Sequence, residues 1–189
     1  MVRLLRFRLS PHPVSVMPGR VILSHGSDSG PEATKVSALA RVAEAQGWST
    51  LRPDYRGDDA AGYADAVPRR VERLLDAMRA APRPLVLAGS SMGAFVSGLA
   101  SLEAPCDGLF LVALPIDITG CPRRFDAARG VPGMLVHGWR DELCPVDAAF
   151  AFARERGMPT LLLDDGHRLA DHVAMLEGQF ALFLRALAA

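Results

Sequence analysis

Six short apolar runs punctuate the chain: Val21–Leu23, Ser49–Arg52, Pro84–Ala88, Gly108–Leu114, Gly133–Val136 and Thr160–Leu163. Apart from Ser49–Arg52, where Leu51 is the one apolar residue, the runs are apolar along their length rather than alternating, which is the pattern of a strand covered on both faces. Between them the spacing becomes helical. Thr34–Gln46 places Val36, Leu39, Ala40 and Ala43 on one face and closes at Gly47. Pro68–Ala81 carries Val71, Leu74, Leu75 and Met78 and stops before Pro82. Met92–Glu103, Val146–Arg156 and Leu169–Leu187 complete the predicted helices. This alternation predicts βαβ units, hence an α/β domain with a mostly parallel sheet of about six or seven strands and helices on both faces. The Arg56–Gly62 segment, with Gly57, Asp58, Asp59 and Gly62, reads as a surface loop. There is no internal repeat, low-complexity tract or interdomain linker, so residues 21–189 read as one domain. Residues 1–20 read as an extension or an extra edge strand over Leu4–Leu9.

Composition narrows the function classes. With 50% hydrophobic and 22% charged residues, the 189-residue chain can bury an ordinary core. Its 21 basic residues balance 21 acidic ones, which argues against a nucleic-acid or anionic-membrane footprint. The longest apolar run, Leu109–Ile116, is far short of the roughly 18 residues of a membrane span. Arginines interrupt the N-terminal segment, which therefore lacks the apolar centre of a secretory signal. Cys106, Cys121 and Cys144 are odd in number and far apart, forming neither a disulfide framework nor a CxxC metal pair. Free thiols in a reducing compartment, and so a cytoplasmic location, are expected. The basic residues are 20 arginines and a single lysine, Lys35.

In a parallel α/β sheet, ligands bind outside the carboxyl ends of the strands. The residues just after each apolar run therefore carry the chemistry. Gly89-Ser90-Ser91-Met92-Gly93 matches G-x-S-x-G between a predicted strand and a predicted helix. Such a turn presents a strained serine at the helix N-terminus, with glycines two residues either side to let the backbones pass. Only Ser91 has both glycines. The same pentapeptide also suits a tight turn with no chemistry. His167 follows the last apolar run and suits a base, whereas His25 and His137 each precede a glycine at a strand end and suit loop support. Asp141, after the penultimate run, suits the acid that orients the imidazole, with Glu142 as local competitor. The order Ser91, Asp141, His167 is that of one fold's nucleophile, acid and base. Oxyanion donors are expected from the N–H groups of Met92 and Ser27, Gly26 letting the second loop approach.

On these motifs, together with His25-Gly26 and His137-Gly138-Trp139-Arg140-Asp141, residues 21–189 resemble a compact α/β-hydrolase. They are similar to small bacterial dienelactone-hydrolase-like and esterase-like proteins. The resemblance implies a Ser91–His167–Asp141 triad, no metal and no organic cofactor. Dienelactone hydrolases proper carry a cysteine nucleophile where this chain has Ser91. Only Ile116–Val131 separates the fourth run from the fifth, room for about one short helix and no substantial lid. Small or accessible acyl substrates are expected, with Ile116, Trp139 and Leu143 as candidate pocket residues and Asp117 and Arg168 as polar contacts. Ester hydrolysis through an acyl-enzyme is the leading reading. A thioesterase or small peptidase would use the same machinery, and a non-catalytic binding module would use the same fold. No G-x-G-x-x-G follows the first run, and no P-loop motif occurs.

Overall fold

The computed structural model describes residues 19–60 and 62–188, so the expected extension over residues 1–20 lies almost wholly outside them. Among the described residues six strands form one sheet: β1 (Arg20–Ser24), β2 (Ser49–Leu51), β3 (Leu85–Ser90), β4 (Gly108–Val112), β5 (Gly133–Gly138) and β6 (Thr160–Leu163). Their order is β2-β1-β3-β4-β5-β6, and every neighbouring pair is parallel. The continuous apolar runs follow from two-sided burial, because successive side chains of a strand point to opposite faces. In β1, Ile22 joins one core cluster while Val21 and Leu23 join the other. In β3, Leu85 and Leu87 face the first, Val86 and Ala88 the second.

The first face is covered by α3 (Tyr63–Arg79), α4 (Met92–Ser101) and α5 (Val146–Arg156), the second by α1 (Thr34–Ala45) and α6 (Val173–Ala188). Chain order runs outward from β1 in one direction to β2, then back across β1 to β3 and onward. The crevice between the carboxyl ends of β1 and β3 is thus the topological switch point, where such sheets bind ligands.

Four expectations need correction. Helix α3 begins at Tyr63, with Gly62 at φ 92° before it, so Pro68 lies inside the helix rather than at its start. The ring deprives Ala64 of its carbonyl partner, but the turns before it bury Ala66 and Val67, and that burial outweighs the lost bond. Residues 56–62 are not simply a loop, since α2 (Arg56–Asp59) forms one helical turn. It is held by ion pairs from Asp58 to Arg73 and Asp59 to Arg70. The last helix is preceded by a separate 3₁₀ turn, Ala170–His172, after Leu169 at φ 51°. Finally, the β4–β5 connection contains no helix. Pro115, Pro122 and Pro132 interrupt it, and buried Phe125 packs it onto α4 through Phe95, at 5.9 Å between rings.

Candidate active site

Strand β3 ends at Ser90 and α4 starts at Met92, so Ser91 alone must turn the chain. It does so at φ 56°, ψ −124°, a conformation a non-glycine residue keeps only when its surroundings impose it. The Ser91 N–H donates to Val112 O (2.9 Å), and its carbonyl accepts from Ala94 (2.8 Å) and Phe95 (3.1 Å). A methyl group on Gly89 would collide with the backbone of Gly93, and one on Gly93 with the carbonyls of Ser24 and His25. The glycines two residues either side of Ser91 are therefore required by the crossing of β3, α4 and the end of β1.

Two loops from the other half of the sheet meet this turn. His167, after β6, has its Nε2 3.1 Å from Ser91 Oγ. Its Nδ1 lies 3.0 and 2.9 Å from the two oxygens of Asp141, on the loop after β5. An Nδ1–H donating to the carboxylate leaves Nε2 to accept from the serine hydroxyl. The Asp141 side chain is wholly buried, and that of His167 is 12% exposed. Burial would push the Asp141 pKa up. Hydrogen bonds from His137 and His167 and from the Cys144 N–H more than offset it and hold the carboxyl below the usual carboxylate range. Glu142, the competing acid, is exposed.

Both supporting histidines are wholly buried. His137 Nδ1 accepts from the Leu114 N–H (3.2 Å), while its Nε2 donates to Cys144 O (2.8 Å) and faces Asp141 at 3.2 Å. His25 Nε2 accepts from the Tyr55 N–H (3.0 Å), and its Nδ1 donates to Gly26 O (2.7 Å). Burial lowers the His25 pKa, and a ring that accepts at Nε2 while donating at Nδ1 is neutral. A Cβ on Gly26 would stand 3.3 Å from Ser91 Cβ, so the β1–α1 loop does approach the serine closely.

Two residues that sequence reasoning missed stand behind these loops. Arg70 on α3 is wholly buried and donates to His25 O (2.8 Å) and Gly26 O (3.2 Å). It pairs with Asp59 (2.6 Å) and lies 4.7 Å from the centre of the Tyr55 ring. Its signal was positional: it shares the apolar stripe of α3 with Val67, Val71 and Leu74. Lys35 Nζ donates to His167 O at 2.8 Å, across 132 residues. Its signal was being the sole lysine.

The other expected residues are more dispersed. Met92 heads α4, so its N–H has no intrahelical partner, and its side chain is buried in the core. Ser27 is half-buried in the β1–α1 loop. Trp139 and Leu143 stand 56% and 69% exposed on the β5–α5 loop, and Ile116 packs half-buried against the α3–α4 core. Asp117 pairs with Arg124 on the surface, and Arg168 is exposed. A shallow depression of about 520 Å³, lined by Asp28, Ser29, Gly30, Glu32 and Arg56, adjoins the Gly26 loop. An apolar cavity of about 670 Å³ lies at the opposite end of the sheet, beside Pro132 and Pro159. Among the described residues, Asp141, Cys144 and His167 bring metal-ligand atoms within 4.8 Å of one another. Asp141 and His167 already bond each other, and burial, then the nearby Asp141 charge, pushes the Cys144 thiol up to about 12.

A parallel sheet with a strained serine at its switch point, and a histidine and an aspartate on the loops beyond, defines an α/β protein of hydrolase type. The chain belongs to the alpha/beta hydrolase family: residues 18–173 match its alpha/beta hydrolase domain. A protein of the alpha/beta hydrolase superfamily from Xanthomonas campestris pv. campestris is 43% identical, with a TM-score of 0.83 over 89% of this chain and 99% of its own. Est1E from Butyrivibrio proteoclasticus is 19% identical, with a TM-score of 0.70 over 89% and 87% of the two chains. A second Xanthomonas campestris protein, a serine hydrolase without a lid, is 21% identical, with a TM-score of 0.64 over 93% and 85%. These last two share the fold. No curated protein sequence matches the chain.

Proposed function

We propose that the protein is a serine hydrolase that cleaves carboxylic esters of small or accessible acyl groups, with Ser91 as nucleophile, His167 as base and Asp141 as orienting acid. The observation that carries this reading is the unbroken chain of hydrogen bonds from Asp141 through His167 to Ser91, at 2.9 and 3.1 Å. His167 takes the hydroxyl proton as Ser91 Oγ attacks the carbonyl carbon. The buried Asp141 stabilises the imidazolium. The N–H groups of Met92 and Ser27 hold the oxyanion, at a helix N-terminus where negative charge is favoured. His167 then gives the proton to the departing alcohol. Water, activated by the same imidazole, returns the enzyme and releases the acid.

The helix-free β4–β5 connection supports an open site. Exposed Trp139 and Leu143 on the loop after β5 and half-buried Ile116 on the loop after β4 are the candidate apolar contacts for the acyl group, and the depression beside Ser29 supplies candidate polar ones.

Labelling with a fluorophosphonate probe, followed by peptide mass mapping, tests the reading. An adduct is expected on Ser91, lost in Ser91→Ala and His167→Ala. Either substitution should lower kcat by on the order of 10⁶. A panel of esters, thioesters and amides of one acyl group then separates esterase from thioesterase or peptidase. Folded protein that takes no label, or an active Ser91→Ala enzyme, would overturn the assignment.

A further inference from the structure

Lys35 is the single lysine in a chain with 20 arginines. It is the second residue of α1, the positive end of a helix dipole, where a cation is disfavoured. It is also half-buried, which disfavours the charge again. A lysine in that position requires a compensating arrangement, and the structure shows one. The ammonium reaches across the top of the sheet to donate to the His167 carbonyl at 2.8 Å. Asp141 and Cys144 from the loop after β5, and Asp165, Arg168 and His167 itself from the loop after β6, are charged or titratable groups near it.

We propose that Lys35 is a positioning residue for the His167 base. Its ammonium pins the backbone of the loop that carries the imidazole and places positive charge beside the Asp141 carboxylate. The inference rests on the triad reading above.

The choice of lysine follows from shape. An ammonium is a compact point charge with three donors, whereas a guanidinium is a plane that needs room for a fork. Lys35 Nζ meets the His167 carbonyl end-on, an arrangement that a compact ammonium suits. With its loop pinned, His167 keeps its two ring nitrogens on Asp141 and Ser91 together. Without the pin, the same three residues remain but their alignment fluctuates, so chemistry slows more than substrate binding does. Burial holds the Lys35 pKa down to about 8, partly offset by Asp141. The positive charge is thus lost at mildly alkaline pH.

The test compares wild type, Lys35→Met and Lys35→Arg. It measures kcat and KM on a small activated ester, and the rate of fluorophosphonate labelling of Ser91, from pH 6 to 10. Lys35→Met should lower kcat about 10-fold at pH 7, as loss of one charge-assisted hydrogen bond implies, with KM little changed. The wild-type labelling rate should fall as pH rises through about 8. That fall should vanish in both variants, because methionine carries no charge and arginine does not lose its own. The arginine should also recover part of the lost kcat. A Lys35→Met enzyme with the wild-type kcat and pH profile would overturn the proposal. So would a fall near pH 8 that persists in Lys35→Arg, or a flat wild-type profile. The last two still decide the matter if the methionine variant fails to fold. Labelling of Ser91 that ignores Lys35 defeats this proposal and leaves the triad standing; no labelling of wild type at any pH defeats both.

Discussion

Arg70 supports the loop that faces Ser91, and replacing it isolates what that support contributes. In Arg70→Met the side-chain length is kept and every donor is lost. Asp59 is left without its partner, and the carbonyls of His25 and Gly26 lose their only donor from α3. The Arg70 side chain is wholly buried and that of Asp59 is 12% exposed. Removing one partner of a buried pair costs about 3–5 kcal/mol, because the charge left behind has nothing to offset its desolvation. Methionine recovers part of this through its contact with Tyr55, so the lower end, about 3 kcal/mol, is expected. With a urea slope of about 2 kcal/mol per molar, the unfolding midpoint should drop by roughly 1.5 M. Arg70→Lys keeps the charge but not the fork that spans Asp59 and two carbonyls, and should fall between the two. The assay is urea unfolding followed by tryptophan fluorescence, with Trp48 buried and Trp139 exposed as reporters. Ser91 labelling should slow in both variants, since Gly26 loses its support. If Arg70→Met unfolds within about 0.5 kcal/mol of wild type, the pair contributes nothing net and the reasoning fails.

Three further predictions address the site and its frame. Asp141→Asn should leave the fold intact and lower kcat by on the order of 10⁴, because the amide cannot hold the imidazole with Nε2 unprotonated; a loss under tenfold would remove Asp141 from the mechanism. Gly93→Ala should destabilise by at least about 1–3 kcal/mol and reduce Ser91 labelling, since the added methyl meets the Ser24 and His25 carbonyls rather than a movable side chain; normal stability with normal labelling would contradict the packing of the turn. Burial pushes the Cys106 thiol up to about 11, whereas an unfolded thiol titrates near 8.5. Between those values the unfolded chain has released a proton that the folded chain keeps, so this contribution to stability falls as pH rises. Cys106→Ala should make the pH dependence of the unfolding free energy between pH 9 and 11 shallower by about 1.4 kcal/mol per pH unit, and an unchanged slope would show the thiol to be solvated.

Local signals in the chain were enough for its architecture. Continuous apolar runs such as Leu109–Leu111 need cover on both faces, and that requirement alone implies a parallel sheet between helix layers. The strand-end positions of Ser91, Asp141 and His167 were legible for the same reason, because in such a sheet the carboxyl ends face one way. Element ends were less legible. Pro68 reads as a start signal, but tertiary burial of Ala66 and Val67 carries α3 back to Tyr63. Asp58 and Asp59 read as loop residues because their partners, Arg73 and Arg70, are 15 and 11 positions away.

What only the tertiary structure decided is which polar groups are shielded from water and by whom. Arg70 lies on the apolar stripe of α3, but its partners are fixed only when Asp59 and the β1–α1 loop close over it. Lys35 looks like compositional chance until a loop 132 residues away presents the His167 carbonyl. Hydrophobic pattern is a property of neighbouring residues and can be read along the chain. The strength of a charge or a hydrogen bond depends on the dielectric and the partners around it, and those exist only once distant segments have packed.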